Sequence, residues 1–121
     1  HTPQFGQWAF MRARNKLEKL WRRAIPEDAD IVICHGPPRG ILDLSYDRTN
    51  VLELCGDKSL LNRVMEVKPK LMLFGHIHSN KDIVNAGTRK LYGLDTIFSN
   101  GSVVTDGKFG RLSSQGNIFE V

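Results

Sequence analysis

An α/β fold is predicted for this 121-residue chain by three features of its sequence. Two apolar runs, Ile31-Val32-Ile33-Cys34 and Leu71-Met72-Leu73-Phe74, break off at His35-Gly36-Pro37-Pro38 and at Gly75, as buried strands do where the chain must turn. Apolar residues at helical spacing precede the first run (Ala13, Leu17, Leu20, Trp21, Ala24) and separate it from the second (Leu60, Leu61, Val64, Met65). Beyond Gly75 the pattern changes to short strand-like stretches between turn dipeptides, the signature of a meandering β edge.

Taken in order, residues 1–11 read as irregular, although the alternation of Trp8 and Phe10 suggests a short buried strand. A helix is expected over 12–23, stopped before Pro26 because a residue preceding proline is pushed out of helical geometry. The first core strand covers 28–34, and a Gly- and Pro-rich loop covers 35–46. Asp57 is placed to cap a second helix that ends before Pro69, and 70–74 forms the second core strand. Strands are expected at 81–84, 90–92, 96–99 and 117–121, with turns at Asn100-Gly101, Asp106-Gly107 and Gln115-Gly116.

The length allows one domain at most, and the 40% hydrophobic and 25% charged content is that of an ordinary globular protein. No apolar stretch approaches the ~20 residues that span a bilayer, so no membrane partner is expected. Cys34 and Cys55 are too few for a disulfide framework; Cys34 reads as a small core hydrophobe, and a cytoplasmic, reducing compartment is the expectation. The net charge of +4 is concentrated around Arg12, Arg14, Lys16, Lys19, Arg22 and Arg23. It reads as the solvated face of an amphipathic helix. With no interleaved aromatics and no recognition motif beside it, nucleic acid is not expected as a partner.

Three of the four histidines, His35, His76 and His78, stand where the two core strands end, the usual place for ligand sites in open α/β sheets. Two imidazoles flanking Ile77 directly after a core strand are costly unless something satisfies their nitrogens. Gly75 is expected to supply the sharp turn before them, and the one-residue spacing to put both on one side of the chain. Neutral imidazole is a common metal ligand. Three of them would suffice for a mononuclear site, or would form the nitrogen half of a two-metal site. Asp43 reads as capping its own loop or pairing with Arg39, ahead of direct ligation, and Asp30 should lie at the far end of its strand.

The stretches His35-Gly36-Pro37-Pro38-Arg39-Gly40 and Phe74-Gly75-His76-Ile77-His78 resemble the last two motifs of the calcineurin-like metallophosphoesterases, most closely the metallophosphoesterase-domain branch. Thr2-Pro3-Gln4-Phe5-Gly6, Trp8-Ala9-Phe10, Val67-Lys68-Pro69-Lys70-Leu71 and Asn100-Gly101-Ser102-Val103-Val104 extend the resemblance over nearly the whole chain. It implies a four-layer α/β/β/α sandwich, of which this chain is the C-terminal half. It also implies hydrolysis of a phosphoester or nucleotide substrate by a hydroxide activated at two divalent metal ions (Mn, Fe or Zn). His35 and His76 would ligate one ion and His78 the other. Arg39 and Asn100 are candidate substrate-binding residues, and Ser79 stands where relatives often carry an acid.

The family's Asp-x-His, bridging Asp and Asn-His motifs do not occur in these residues. The missing N-terminal half of the domain is therefore an expected partner, and the chain alone is expected to be inactive. A non-catalytic half-domain that binds one metal or serves as an interaction surface is the alternative. No catalytic residue is assigned within the chain.

Overall fold

In the computed structural model, residues 1–4, 11–80, 82–105, 110–112 and 115–120 are described. The order of elements is β1 (Thr2–Pro3), β2 (Met11–Arg12), α1 (Arg14–Ala24), β3 (Ile31–Ile33), β4 (Leu44–Tyr46), β5 (Leu52–Leu54), α2 (Lys58–Val67), β6 (Leu71–Phe74), β7 (Gly87–Leu91) and β8 (Leu94–Asn100). The mixed α/β class read from the sequence is the one observed.

The central sheet has the strand order β3-β6-β8-β7. β3, β6 and β8 run parallel, in the registers Ile31↔Leu71↔Ile97 and Ile33↔Leu73↔Ser99, and β7 closes the edge antiparallel to β8. Both helices pack on one face, where Leu17, Trp21, Val32, Leu60, Val64, Met72, Phe74 and Phe98 form one core. The helices are fixed to each other by polar bonds as well. Trp21 Nε1 donates to Asp57 Oδ2, and the buried Arg63 guanidinium donates to the Ile25 carbonyl at the end of α1, at 3.1 Å from Nε and 2.6 Å from Nη2.

Helix boundaries follow local chemistry. α1 ends at Ala24, just ahead of Pro26, and Asp57 caps α2 by accepting from Ser59 N at 2.9 Å. Lys68, in the left-handed region at φ 54°, ends α2 immediately before Pro69.

Four expectations need correction. β3 is not buried on both sides: Ile31 and Ile33 are 43% and 75% exposed, because among the described residues β3 lies at the edge of a sheet that carries helices on one face only. The 35–46 loop gives way at Leu44 to an antiparallel hairpin, β4–β5, whose tip is closed by Asp47 Oδ1 accepting from Thr49 N, Thr49 Oγ1 and Val51 N, each at 2.8 Å. Residues 82–84 form no strand; only an isolated bridge joins Asn80 and Ile83, whose backbones close a tight turn instead. Residues 117–120 are likewise not a strand; Asn117 holds this segment to the sheet through Ser99 Oγ at 2.8 Å. The strand expected around Trp8 and Phe10 and the Asp106-Gly107 turn lie outside the described residues.

Candidate functional site

β3 and β6 bring their C-terminal ends side by side, and the pairing continues one step beyond the strands: Cys34 N donates to Leu73 O and Gly75 N to His35 O, both at 3.0 Å. That register sets His35 against His76. Their ring centroids are 4.6 Å apart and tilted by 48°. Burial lowers the His76 pKa, and His35 and His78 lower it further, which favours the neutral form, the form in which imidazole ligates metals. Cys34, beside His35, is a poor candidate ligand: burial pushes its thiol up to about 12, and the sulfur faces the Gly36 carbonyl at 3.0 Å.

The sharp turn falls on His76 rather than on Gly75. His76 has φ 72°, and Ile77 N donates to Gly75 O at 2.9 Å, which makes a γ-turn of the rare positive-φ kind centred on a histidine. Such strain persists where the surroundings over-determine it, and it clusters at functional sites. Glycine is required instead at Gly56, where an added Cβ would meet the Pro38 carbonyl oxygen at 2.5 Å, and at Gly36, where it would meet the Thr2 side chain at 2.7 Å. The approach at Gly56 joins the Pro37-Pro38 loop to the start of α2, where Asp57 N donates to Pro37 O and Arg39 N to Asp57 O, both at 3.1 Å.

His76 and His78 both line a cavity of about 420 Å³, as the one-residue spacing suggested. Its walls include Gln4, Arg14 and the hairpin residues Ser45, Tyr46, Asp47, Arg48 and Glu53. Sequence reasoning missed the hairpin, although Leu44-Ser45-Tyr46 and Leu52-Glu53-Leu54 alternate on either side of an Asp-Arg-Thr-Asn turn. Among the described residues, no three His, Cys, Asp or Glu side chains are gathered around one metal position. His35 and His76 are thus paired, and the three histidines do not gather as a mononuclear site among the described residues.

The remaining candidates have structural partners. Asp43 is buried and does cap its loop: Oδ2 accepts from Gly40 N at 2.9 Å and Gly56 N at 2.8 Å, while Oδ1 is buried without a partner. Arg39 turns to the hairpin, donating from Nη1 to Leu54 O at 2.8 Å. Asn100 is buried at the end of β8; its Nδ2 donates to Leu42 O at 3.2 Å and Ile77 O at 3.0 Å. Ser79 Oγ accepts from Asn85 N at 3.0 Å and Ala86 N at 3.1 Å. Asp30 lies at the far end of β3, paired with Lys70 at 2.9 Å. No helix among the described residues is long and apolar enough to cross a membrane.

Comparison with known proteins agrees with the motif chemistry. Metallophosphoesterase domain-containing protein 1 of Homo sapiens is 40% identical over 106 residues, which is 85% of this chain and 29% of that protein. Its Mus musculus counterpart gives the same figures. A UPF0046 protein of Caenorhabditis elegans is 35% identical over 77 residues, 61% of this chain and 24% of its own length. The chain thus spans less than a third of the length of these curated relatives. No protein-family model matches it, and no solved structure does. On the strength of these relatives, and of the two histidine motifs that meet at the strand ends, the chain belongs to the metallophosphoesterase family.

Proposed function

We propose that the whole protein hydrolyses phosphoesters, foremost phosphodiesters of nucleotide type, with two divalent metal ions. One observation carries the reading: His35 and His76 meet at 4.6 Å on the ends of adjacent parallel strands, next to a cavity that His76 and His78 line. In this reading His35 and His76 hold one ion and His78 the other. When bound, the ions supply positive charge to phosphate oxygens and a water acidic enough to attack near neutral pH. The chain's own contribution is placement. The γ-turn aims His76, and Arg14 and Arg48 on the cavity wall offer cations to the remaining phosphate charge. Tyr46 gives the same wall an aromatic face suited to a base.

Arg39 and Asn100 serve this site from behind in their observed positions, Arg39 bracing β5 and Asn100 holding the Ile77 carbonyl. Direct contact of either with substrate would require those bonds to open. The remaining carboxylate and histidine ligands, and the second half of a four-layer sandwich, would come from the remainder of the domain. Two observations support this: the relatives are more than three times as long as the stretch matched, and β3 leaves Ile31 and Ile33 exposed.

The test is hydrolysis of bis-p-nitrophenyl phosphate by the whole protein with Mn²⁺, Fe²⁺ or Zn²⁺. Activity that falls to background in His76→Ala is the expected result. No activity with any of the three metals, or full activity in His76→Ala, overturns the proposal.

A second reading, a non-catalytic half-domain that takes a single ion or serves as an interaction surface, is favoured by the lack of a three-ligand cluster among the described residues. Calorimetric titration of the whole protein separates the two. Two Mn²⁺ per chain support the enzyme, and one weakly held ion supports the alternative.

A further inference from the structure

The backbone pairing that brings His35 to His76 does not extend to the hairpin; among the described residues, the histidine loop is joined to the start of β4 by two side-chain amides. Asn85, 1% exposed, donates from Nδ2 to His78 O and to Leu44 O, both at 2.8 Å, and accepts from Leu44 N at its Oδ1 at 3.2 Å. Asn100, also 1% exposed, repeats the arrangement one step away, its Nδ2 donating to Ile77 O at 3.0 Å and Leu42 O at 3.2 Å. The orientation of both amides is fixed by chemistry, since carbonyl oxygens only accept and so must face the NH₂ group. Each amide thus spends one proton on the histidine loop and the other on residues 42–44, at and just before the start of β4. Asn85 is itself fixed, because its backbone N–H donates to Ser79 Oγ, an atom that also receives Ala86 N.

We infer that Asn85 is a positioning residue that locks His78 to the β4–β5 hairpin, so that the metal-facing loop and the cavity wall bearing Tyr46 and Arg48 move as one body. The functional part of this inference rests on the proposed metal-holding role of His78; the mechanical part does not. Asn85 is suited to the task because its amide can pair with both backbone groups of Leu44 and still reach His78. Deleting it would take this partner from two part-buried carbonyls and one N–H. Asn100 is the second rung, and its Oδ1 is occupied by Ser102 N at 2.9 Å, which ties the lock to the end of β8. Asn85 is not among the residues that line the cavity, so its influence on anything bound there must pass through His78 and Leu44.

Two measurements on the whole protein decide the matter. The first needs no metal: amide hydrogen exchange in wild type, in Asn85→Ala and in Thr96→Val. Thr96→Val removes a buried side-chain bond of similar kind, to the Pro69 carbonyl, at the opposite end of β8. Asn85→Ala is expected to speed exchange in the hairpin and at residues 76–79 together, by about tenfold or more, while the β6 and β8 amides keep their protection. Acceleration in one segment alone, or in neither, overturns the lock. The second is Zn²⁺ affinity by titration. Asn85→Ala should weaken binding by about tenfold, the usual scale for a group that orients a ligand from behind, while Thr96→Val leaves it unchanged despite a lower melting temperature. Equal affinity in wild type and Asn85→Ala overturns the positioning role. A wild-type protein that takes up no Zn²⁺ refutes the metal reading of His78, and the exchange result then decides whether Asn85 is the lock. If Asn85→Ala does not fold, Asn85→Ser, whose hydroxyl is too short to reach both carbonyls, takes its place in both measurements.

Discussion

Across the middle of the sheet, Val32, Met72 and Phe98 form one cross-strand row on the helix-covered face, with exposures of 5%, 0% and 0%. The next row, Ile33, Leu73 and Ser99, points the other way, and Ile33 is 75% exposed. Val32 and Ile33 are neighbours in sequence and nearly equal in hydrophobicity. Their different burial comes from what the chain lays against each face. α1 and α2 cover the first, whereas among the described residues the second receives the segment around Asn117 and Phe119, which lies toward β8 and the Ile31–Leu71–Ile97 end of the sheet. A fully buried aliphatic side chain contributes roughly 1.5–3 kcal/mol relative to an exposed one, so Ile33 forgoes most of what Val32 gains. At β3, therefore, stabilising burial belongs to the helix-covered face, while the other face is buried only farther into the sheet, at Leu71 and Ser99.

The largest expected effect tests the covered face. Phe98→Ala should cost about 3–5 kcal/mol of unfolding free energy, read as a lower urea midpoint, because the ring is fully enclosed and its loss leaves a cavity under the helix layer. A cost below about 1 kcal/mol would show that the helix layer is not closely packed on the sheet, and the contrast between the faces would fail.

A smaller effect tests whether that layer is also locked by polar bonds. Asp57→Ala removes the cap on Ser59 N and the acceptor of the Trp21 indole N–H at once. The expected cost is about 2 kcal/mol, since a lost cap is typically worth about 1 kcal/mol and a buried unpaired donor a similar amount. Trp21→Phe in the Asp57→Ala background should add less than it does in wild type, because the shared bond is already gone. Full additivity in that double-mutant cycle would mean the two side chains act independently and the helices are held by apolar packing alone.

How much of this is legible in the sequence differs by region. The covered face is readable because helical spacing at Leu17, Leu20 and Trp21, the cap at Asp57 and the stops at Pro26 and Pro69 are local signals that agree with the packing. The site is readable as far as motif residues at strand ends: the spacing singles out His35, His76 and His78, and the structure brings His35 to His76 and places His76 and His78 on one cavity. The bonds that hold them are not readable. Asn85 and Asn100 reach across 41 and 58 residues of sequence to Leu44 and Leu42, and no local pattern encodes such a contact. The positive φ falls on His76, one residue beyond the position the sequence suggests, because glycine is the usual carrier of that geometry and Gly75 stands next to it. The one-sided exposure of β3 is equally hidden, because an apolar run looks the same whether one face or both are covered.

The smallest expected effect tests the open face, and it is the one on which the comparison depends most. Thr keeps the β-branch that suits a strand, so Ile33→Thr removes apolar surface without changing local preference. Because Ile33 is 75% exposed, the unfolding free energy should shift by no more than about 0.5 kcal/mol. Association should respond instead. Among the described residues β3 has a single neighbour, β6, and an exposed apolar edge strand is a template for pairing with another chain. Sedimentation velocity over a concentration series should show less self-association in Ile33→Thr than in wild type, with the melting temperature unchanged. A loss above about 1.5 kcal/mol would mean that Ile33 is covered within the folded molecule, and the two faces would then differ in degree rather than in kind. An unchanged association profile with unchanged stability would move the contact surface off β3, leaving the exposed hairpin residues Leu44, Tyr46, Leu52 and Leu54 as the next apolar face to vary.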